Sequence, residues 1–329
     1  MKNSGLTFFL PALFLLISCE RNQPSVIEDD YIYRKDMRTL VINIAQKARA
    51  TDGNFIIIPQ NGQDVALRSF CQDCSTSIDQ NYMASIDAIG REDLNYGYSN
   101  DDLPNSTADR REVSSFLSLY REAQKPILVT DYCSTPTFVD DSYSINKSEG
   151  NIGFAAPSRE LDEVPSYPIV PNDVHSGSVM TMAGVKNFLY LINPSRFSSK
   201  QSYLQALAST DYDLLIIDAF YNNTLLTRAE VNSLKIKVSG GTRLVIAYMS
   251  IGEAEDYRFY WDSNWTAGSP DWIKTENPDW AGNYKIEYWN SDWHNLIYAG
   301  NDSYLSKLLA SGFDGAYLDL IDAFEYFED

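Results

Sequence analysis

Short apolar runs rich in β-branched residues recur along this chain, and stretches of helical period separate most of them. Eight runs stand out: Phe55–Ile58, Ser85–Ile89, Ile127–Val129, Ile152–Ala155, Phe188–Ile192, Leu214–Ile217, Leu244–Tyr248 and Gly315–Leu318. Helical spacing covers Lys35–Arg49, Val113–Ala123, Gln201–Ala208, Arg228–Val238 and Tyr304–Ala310. This alternation predicts βα units and a parallel sheet. Eight is the number of strands that closes a (β/α)8 TIM-type barrel, which needs about 250 residues and more with insertions. A doubly wound open sheet competes with it, but no Gly-x-Gly-x-x-Gly follows the first strand to support its nucleotide-binding version.

The order of elements is unusual at both ends. A helix comes first with no strand before it, and a strand ending near Asp319 comes last with ten residues after it. Each end supplies what the other lacks. The pattern therefore predicts a circularly permuted barrel, broken in the loop between its last strand and first helix, on the catalytic face. Residues 157–186, with Pro157, Pro165, Pro168 and Pro171 and no clear period, read as a segment joining two former termini.

Before the first helix lie Met1-Lys2-Asn3, an apolar run from Leu6 to Ile17, and Ser18-Cys19. That is a secretory signal, too short to span a membrane as a mature helix. Leu16-Ile17-Ser18-Cys19 resembles a bacterial lipobox. It implies cleavage after residue 18, a lipid on Cys19, and a protein anchored in the bacterial cell envelope. An ordinary signal peptide with a chance cysteine is the plainer alternative. Residues 19–33 read as a polar tether, and 34–329 as a single domain. No other run approaches ~20 apolar residues. In an exported protein Cys71, Cys74 and Cys133 can form one disulfide, with either of the first two as partner of Cys133 and one thiol left over. A Cys-x-x-Cys without a second pair or a nearby histidine is a weak metal signal. No metal or other cofactor is expected.

Composition narrows the chemistry. The 329 residues carry 45 Asp+Glu against 26 Lys+Arg, a formal charge of −19, and 44% are hydrophobic. Wholesale disorder is excluded. So is nucleic-acid binding through a basic face. The histidines are His175 and His294 only, so a multi-histidine metal site or a histidine relay would have to use these. Carboxylates and tyrosines are left as the agents, on a chain expected to be monomeric.

Apolar runs here repeatedly end in a polar residue: Asn61, Glu92 and Asp93, Asp131, Asn193, Asp218, then Glu253, and finally Asp319 and Asp322. In a barrel all strand C-termini point to one face, where active sites are built. Each carboxylate alone is explained as a helix N-cap. As a set they describe an acidic bowl suited to glycoside hydrolysis, in which one carboxyl protonates the leaving oxygen and another attacks the anomeric carbon or activates water. All six tryptophans, Trp261, Trp265, Trp272, Trp280, Trp289 and Trp293, fall within an insertion at about 254–295, interleaved with tyrosines. Such rings stack on sugar faces or pack a small core of their own. One to three of the tryptophans are expected to face the groove.

Four further stretches carry a resemblance. They are Leu214–Phe220, Ala247–Glu255 with Tyr248, Asn277-Pro278-Asp279-Trp280, and Gly312–Asp322 with Tyr317. They resemble glycoside hydrolase family 114, the endo-α-1,4-polygalactosaminidases and their uncharacterised bacterial and archaeal relatives. The likeness runs from about Asn187 to Phe327 and resumes at Phe55–Gly62 and Ile86–Asp93. In the family those last two motifs follow the Leu-Asp-Leu-Ile-Asp segment instead of preceding it, in agreement with a permutation. The resemblance implies a TIM-type barrel and a retaining mechanism with Asp319 as nucleophile and Glu92 as acid/base, roughly 5–5.5 Å apart. It implies substrate-holding roles for Asp218 and Glu253, and an α-linked polygalactosamine-like substrate. A deacetylated galactosamine polymer is cationic, and an acidic cleft would attract it, although acidity also simply keeps an exported protein soluble. With the break after Asp319, the tether would enter beside the groove, which would then open toward the membrane. A non-catalytic glycan-binding lipoprotein on the same scaffold is the second reading. A structural or partner-binding surface protein is the third.

Overall fold

Apolar positions spaced three and four apart commit the first element to a helix with one buried face. α1 (Ile32–Arg49) buries Met37, Leu40, Val41, Ile44, Ala45 and Ala48. The computed structural model describes residues 32–68 and 78–328. Cys19, the leader, nearly all of the tether, Cys71 and Cys74 lie outside the described residues. After α1 come β1 (Ile56–Pro59), α2 (Gln80–Ser85), β2 (Ile89–Glu92), α3 (Thr107–Glu122), β3 (Ile127–Tyr132), α4 (Pro136–Ser148), β4 (Ile152–Ala156), β5 (Phe188–Leu191), α5 (Lys200–Ala208) and β6 (Leu214–Asp218). A small hairpin of β7 (Phe220–Tyr221) and β8 (Thr224–Leu225) precedes α6 (Arg228–Leu234) and β9 (Leu244–Ser250). Then follow β10 (Glu253–Glu255), β11 (Ile273–Glu276), β12 (Asn283–Ile286), α7 (Ser291–His294), α8 (Tyr304–Ser311), β13 (Gly315–Asp319) and α9 (Glu325–Glu328).

The structure is a mixed α/β fold built on parallel sheets. One has the order β1-β13-β9-β6-β5, the other β2-β3-β4, and every pair within them is parallel. A parallel bridge from Gln60 to Gly90 carries the first sheet onto the second. At the other junction the rings of Phe154 on β4 and Phe188 on β5 lie 5.5 Å apart. All eight strands therefore end toward one side. Strands in such sheets are covered on both faces and read as continuous apolar runs, which is why seven of the eight runs coincide with strands. β13, the last of the eight in chain order, pairs on both sides, with β1 and with β9. α1 packs against α2 and α8.

Two expectations need correction. The run Ser85–Ile89 is not a strand. Asp79 accepts the amide hydrogens of Asn81 and Tyr82 and starts α2, which continues to Ser85, so β2 begins only at Ile89. Glu92 is thereby the last residue of the strand and not a loop residue beyond it. The helix expected over Arg228–Val238 stops at Leu234. The buried Arg243 guanidinium donates to the carbonyls of Leu207, Leu234 and Ile236, gathering orphaned helix-end acceptors. Residues 157–186 hold only a short 3-10 turn at Met182–Gly184. Cys133 is buried and unpaired. Among the described residues no helix is long and apolar enough to cross a membrane.

The Trp-rich stretch forms a three-stranded antiparallel sheet, β10-β12-β11. Trp272 and Trp293 are buried, and an edge-to-face series links Trp261, Trp265 and Trp272. Trp272 and Trp293 join the main hydrophobic core, and Trp261, Trp265 and Trp289 pack against it. Trp280 is the exception, 52% exposed.

Candidate functional site

The strands of both sheets end around one cavity of about 690 Å³. Its floor and walls come from Gln60 and Asn61 after β1, Glu92 of β2, Tyr132 of β3, Tyr190 of β5, Asp218 of β6, Tyr248 of β9, and Asp319 and Asp322 at the end of β13. Asn193, Glu253 and Trp280 complete the expected residues that line it. Backbone strain collects here. Asn61, Leu161, Asn222 and Leu320 all line the cavity with positive φ, as does Asp93 beside it, and Leu161 and Leu320 are bulky side chains in a conformation that favours glycine. The turn at Leu320 (φ 62) has a use: its amide, following Asp319 directly, donates to Asp319 Oδ1 at 2.8 Å.

Two carboxylates anchor the hydrogen-bond network of the cavity. Asp319 accepts from the Tyr248 hydroxyl at 2.7 Å. Glu92 is clasped by three donors: the Gln60 amide and the Tyr132 hydroxyl in short bonds, and Asn61 Nδ2 at 3.2 Å. Asn61 Oδ1 also accepts the Glu92 amide hydrogen, and the Tyr190 hydroxyl donates to Gln60 Oε1, which turns the Gln60 amide nitrogen toward Glu92. Burial and then the charge of Glu92 push the Asp319 carboxyl up to about 8. Burial and then Glu325 push Asp322 up to about 7. Burial and a like charge nearby both disfavour the charged form of a carboxyl, which is why these two stand so high.

Other expected residues are tied up elsewhere. Asp218, read as a substrate contact, is bound at both oxygens by Arg258 Nη1 (2.9 and 2.7 Å) and accepts the Phe220 amide hydrogen. Arg258 also donates to Glu255 at 2.5 Å, so one buried guanidinium serves two buried carboxylates. Glu253 is held by Asn277 at 3.0 Å and faces Lys285 at 3.6 Å. The Asn277–Trp280 motif thus ties the hairpin to the strand ends and presents Trp280 at the cavity. Asn193 lines the cavity while its side chain accepts the Ser195 amide hydrogen.

Three expected residues do not reach the cavity wall. Asp131 is fully buried among Asn95, Ser142 and Asn146, on the face of β3 opposite to Tyr132. Asp93 turns away toward Arg159, 3.5 Å off, and burial pushes it up to about 6. Tyr317 lies beneath the floor against Tyr190, its hydroxyl filling the space a side chain on Gly90 would need. Residues not anticipated from the sequence are Tyr132, Gln60, Tyr190, Glu255, Arg159 and Arg258. Strand parity is the signal for Tyr132. In β3, positions 130 and 132 share a face that 131 cannot. Among the described residues no group of three His, Cys, Asp or Glu could hold a metal ion.

The segment from β5 onward, which carries Asp218, Glu253 and Asp319 to this cavity, matches a known family over residues 185–329. That family is glycoside-hydrolase family GH114, and the match is to this part of the chain. Uncharacterized proteins show the same likeness. One from Methanocaldococcus jannaschii is 38% identical over 156 residues, covering 44% of this chain and 43% of that protein. One from Thermotoga maritima is 38% identical over 120 residues, 36% of each chain, and one from Deinococcus radiodurans 38% over 126 residues, 38% of each. The chain thus spans less than half the length of the relatives it matches. Asp319 lies inside the part assigned to GH114 and Glu92 outside it.

Proposed function

We propose that the protein is a lipid-anchored glycoside hydrolase that cleaves an α-linked, polygalactosamine-like amino-sugar polymer with Asp319 and Glu92 as its catalytic pair. One observation carries this reading. Two carboxyl groups from distant parts of the chain line one cavity and act on each other's charge. In a retaining reaction one attacks the anomeric carbon while the other protonates the leaving oxygen and then draws a proton from water. Trp280 offers a ring for stacking a sugar at the cavity edge. The acidic wall suits a cationic polymer.

The scaffold proposed is a closed (β/α)8 barrel, circularly permuted. Support comes from β13 pairing with β1, the bridge between Gln60 and Gly90, and the contact between β4 and β5. α1, placed between α8 and α2, occupies the position of a helix following β13. Export, the lipid on Cys19 and a groove facing the membrane rest on the N-terminal sequence alone. Mapping protease access to the groove on intact cells tests that orientation.

The roles of the two carboxyls have two readings. The resemblance implies Asp319 as nucleophile. The surroundings favour the reverse: burial and the charge of Glu92 raise the Asp319 carboxyl to about 8, which suits an acid, while three donors hold Glu92 in place as the attacking group. The direct test is purified protein on α-linked galactosamine and N-acetylgalactosamine polymers, read by product mass. Variants Asp319→Asn and Glu92→Gln are then compared on a glycoside with an activated leaving group. The variant lacking the acid keeps turnover there, and the variant lacking the nucleophile does not. Binding without turnover on any such polymer returns the protein to a glycan-binding role.

A further inference from the structure

Glu92 owes its position to Tyr132, and Tyr132 is itself covered. The guanidinium of Arg159 lies over its ring, 4.3 Å from the centroid. Arg159 comes from the irregular segment after β4 and reaches across to the loop that follows β2. There Nε meets Asp101 Oδ1 at 2.7 Å, Nη2 lies 3.5 Å from Asp93 Oδ1, and Nη2 donates to the Gly97 carbonyl in a short bond. The loop is shaped for this passage. Gly97 sits at φ +110, and a Cβ there would stand 2.9 Å from Tyr132 and 3.2 Å from Arg159.

We propose that Arg159 is a positioning residue that keeps Glu92 clasped through the ring and hydroxyl of Tyr132. A cation on the face of a phenol draws electron density from the ring and makes its hydroxyl a stronger donor. The stronger donor favours the carboxylate that accepts from it. Arg159 also offsets the charge of Asp93, which follows Glu92 directly in the turn after β2. The other titratable groups acting on this corner are Asp319, Asp322 and Tyr317 from β13 and its turn, Tyr190 of β5, and Arg91. This inference rests on Glu92 being one of the catalytic pair, but its first test does not require turnover.

The Glu92 carboxyl is titrated by carbon NMR of the glutamate-labelled full protein, in an Asp319→Asn background that removes its coupled partner. Arg159→Gln is expected to move the Glu92 midpoint to higher pH by roughly half a unit to one unit. Arg159→Lys is expected to recover most of that shift. In a Tyr132→Phe background the effect of Arg159→Gln is expected to shrink to less than half. An unmoved Glu92 midpoint in Arg159→Gln, including one accompanied by a lower Tm, overturns the proposal. A full shift that persists without the Tyr132 hydroxyl overturns the route through Tyr132. Activity separates the two claims. Glu92→Gln that keeps full turnover removes the catalytic reading, whereas a dead Glu92→Gln with an indifferent Arg159→Gln removes this inference alone.

Discussion

β6 carries an aspartate near each end, and the two live in different chemistry. Asp213, just before the strand, is fully buried and surrounded by donors: His175 Nε2 at 2.9 Å, the Lys186 amide at 2.9 Å and Lys237 Nζ at 3.0 Å. Asp218, at the other end, opens onto a cavity that also holds Asp319, Asp322 and Glu92. Away from the cavity Asp213 has cations of its own, and Asp131 is satisfied by neutral donors alone. At the cavity carboxylates outnumber cations, and Asp319 meets a neighbouring acid before it meets any base. Placing like charges together costs stability, and it raises the carboxyl of Asp319 into the range where an acid can work at neutral pH. Strand-end acids thus divide by what surrounds them, and the residue type alone says little.

The contrast can be broken from either side. The largest expected effect is on turnover. Asp319→Asn and Glu92→Gln should each lower kcat by about 10²–10⁴-fold while the fold persists, measured by product release on the cleaved polymer. On the opposite side, Asp213→Asn strands Lys237, a buried cation, and should destabilise by about 3–5 kcal/mol with the mouth unchanged, measured by denaturant unfolding. Arg258→Met leaves Asp218 and Glu255 buried and facing one another, and its cost should be of the same order and grow as pH rises above the carboxylate range. A milder change runs the other way. Asp319 is raised in the folded state, so its neutral form favours folding below the unfolded value near 4, and that advantage is lost as pH climbs toward about 8. Asp319→Asn should therefore raise Tm at pH 8 by a few degrees and leave it nearly unchanged at pH 4. The smallest effect is expected at the rim. Trp280→Ala should raise KM several-fold with no change in Tm, since this ring is largely exposed.

Much of this organisation was legible in the residues. Apolar runs mark fully buried strands, and α1 declares itself by spacing. Glu92, Asp319, Asp322, Asn61 and Tyr248 were legible because each follows or ends such a run. Asp131 was misread by the same rule, because nearness to a strand end ignores which face a residue takes. Asp218 and Glu253 line the cavity, but the groups that hold them were not legible. Their partners Arg258 and Asn277 lie 40 and 24 positions further along, where no periodicity points back to them. Arg159 was invisible for a related reason. It sits in the one long stretch without period, and its target is the ring of a tyrosine on another strand. Spacing reports local geometry, whereas ion pairs and ring contacts between loops are set by the assembled fold.

The placement of β13 has one more consequence. This strand lies between β1 and β9, yet it is made after both, and it brings Asp319 with it. Until it inserts, β1 is cut off from β9 and the cavity lacks Asp319. A nascent or clipped chain lacking that strand would hold only one member of the proposed pair, so a hydrolase of the kind proposed would become complete only when its last strand is in place.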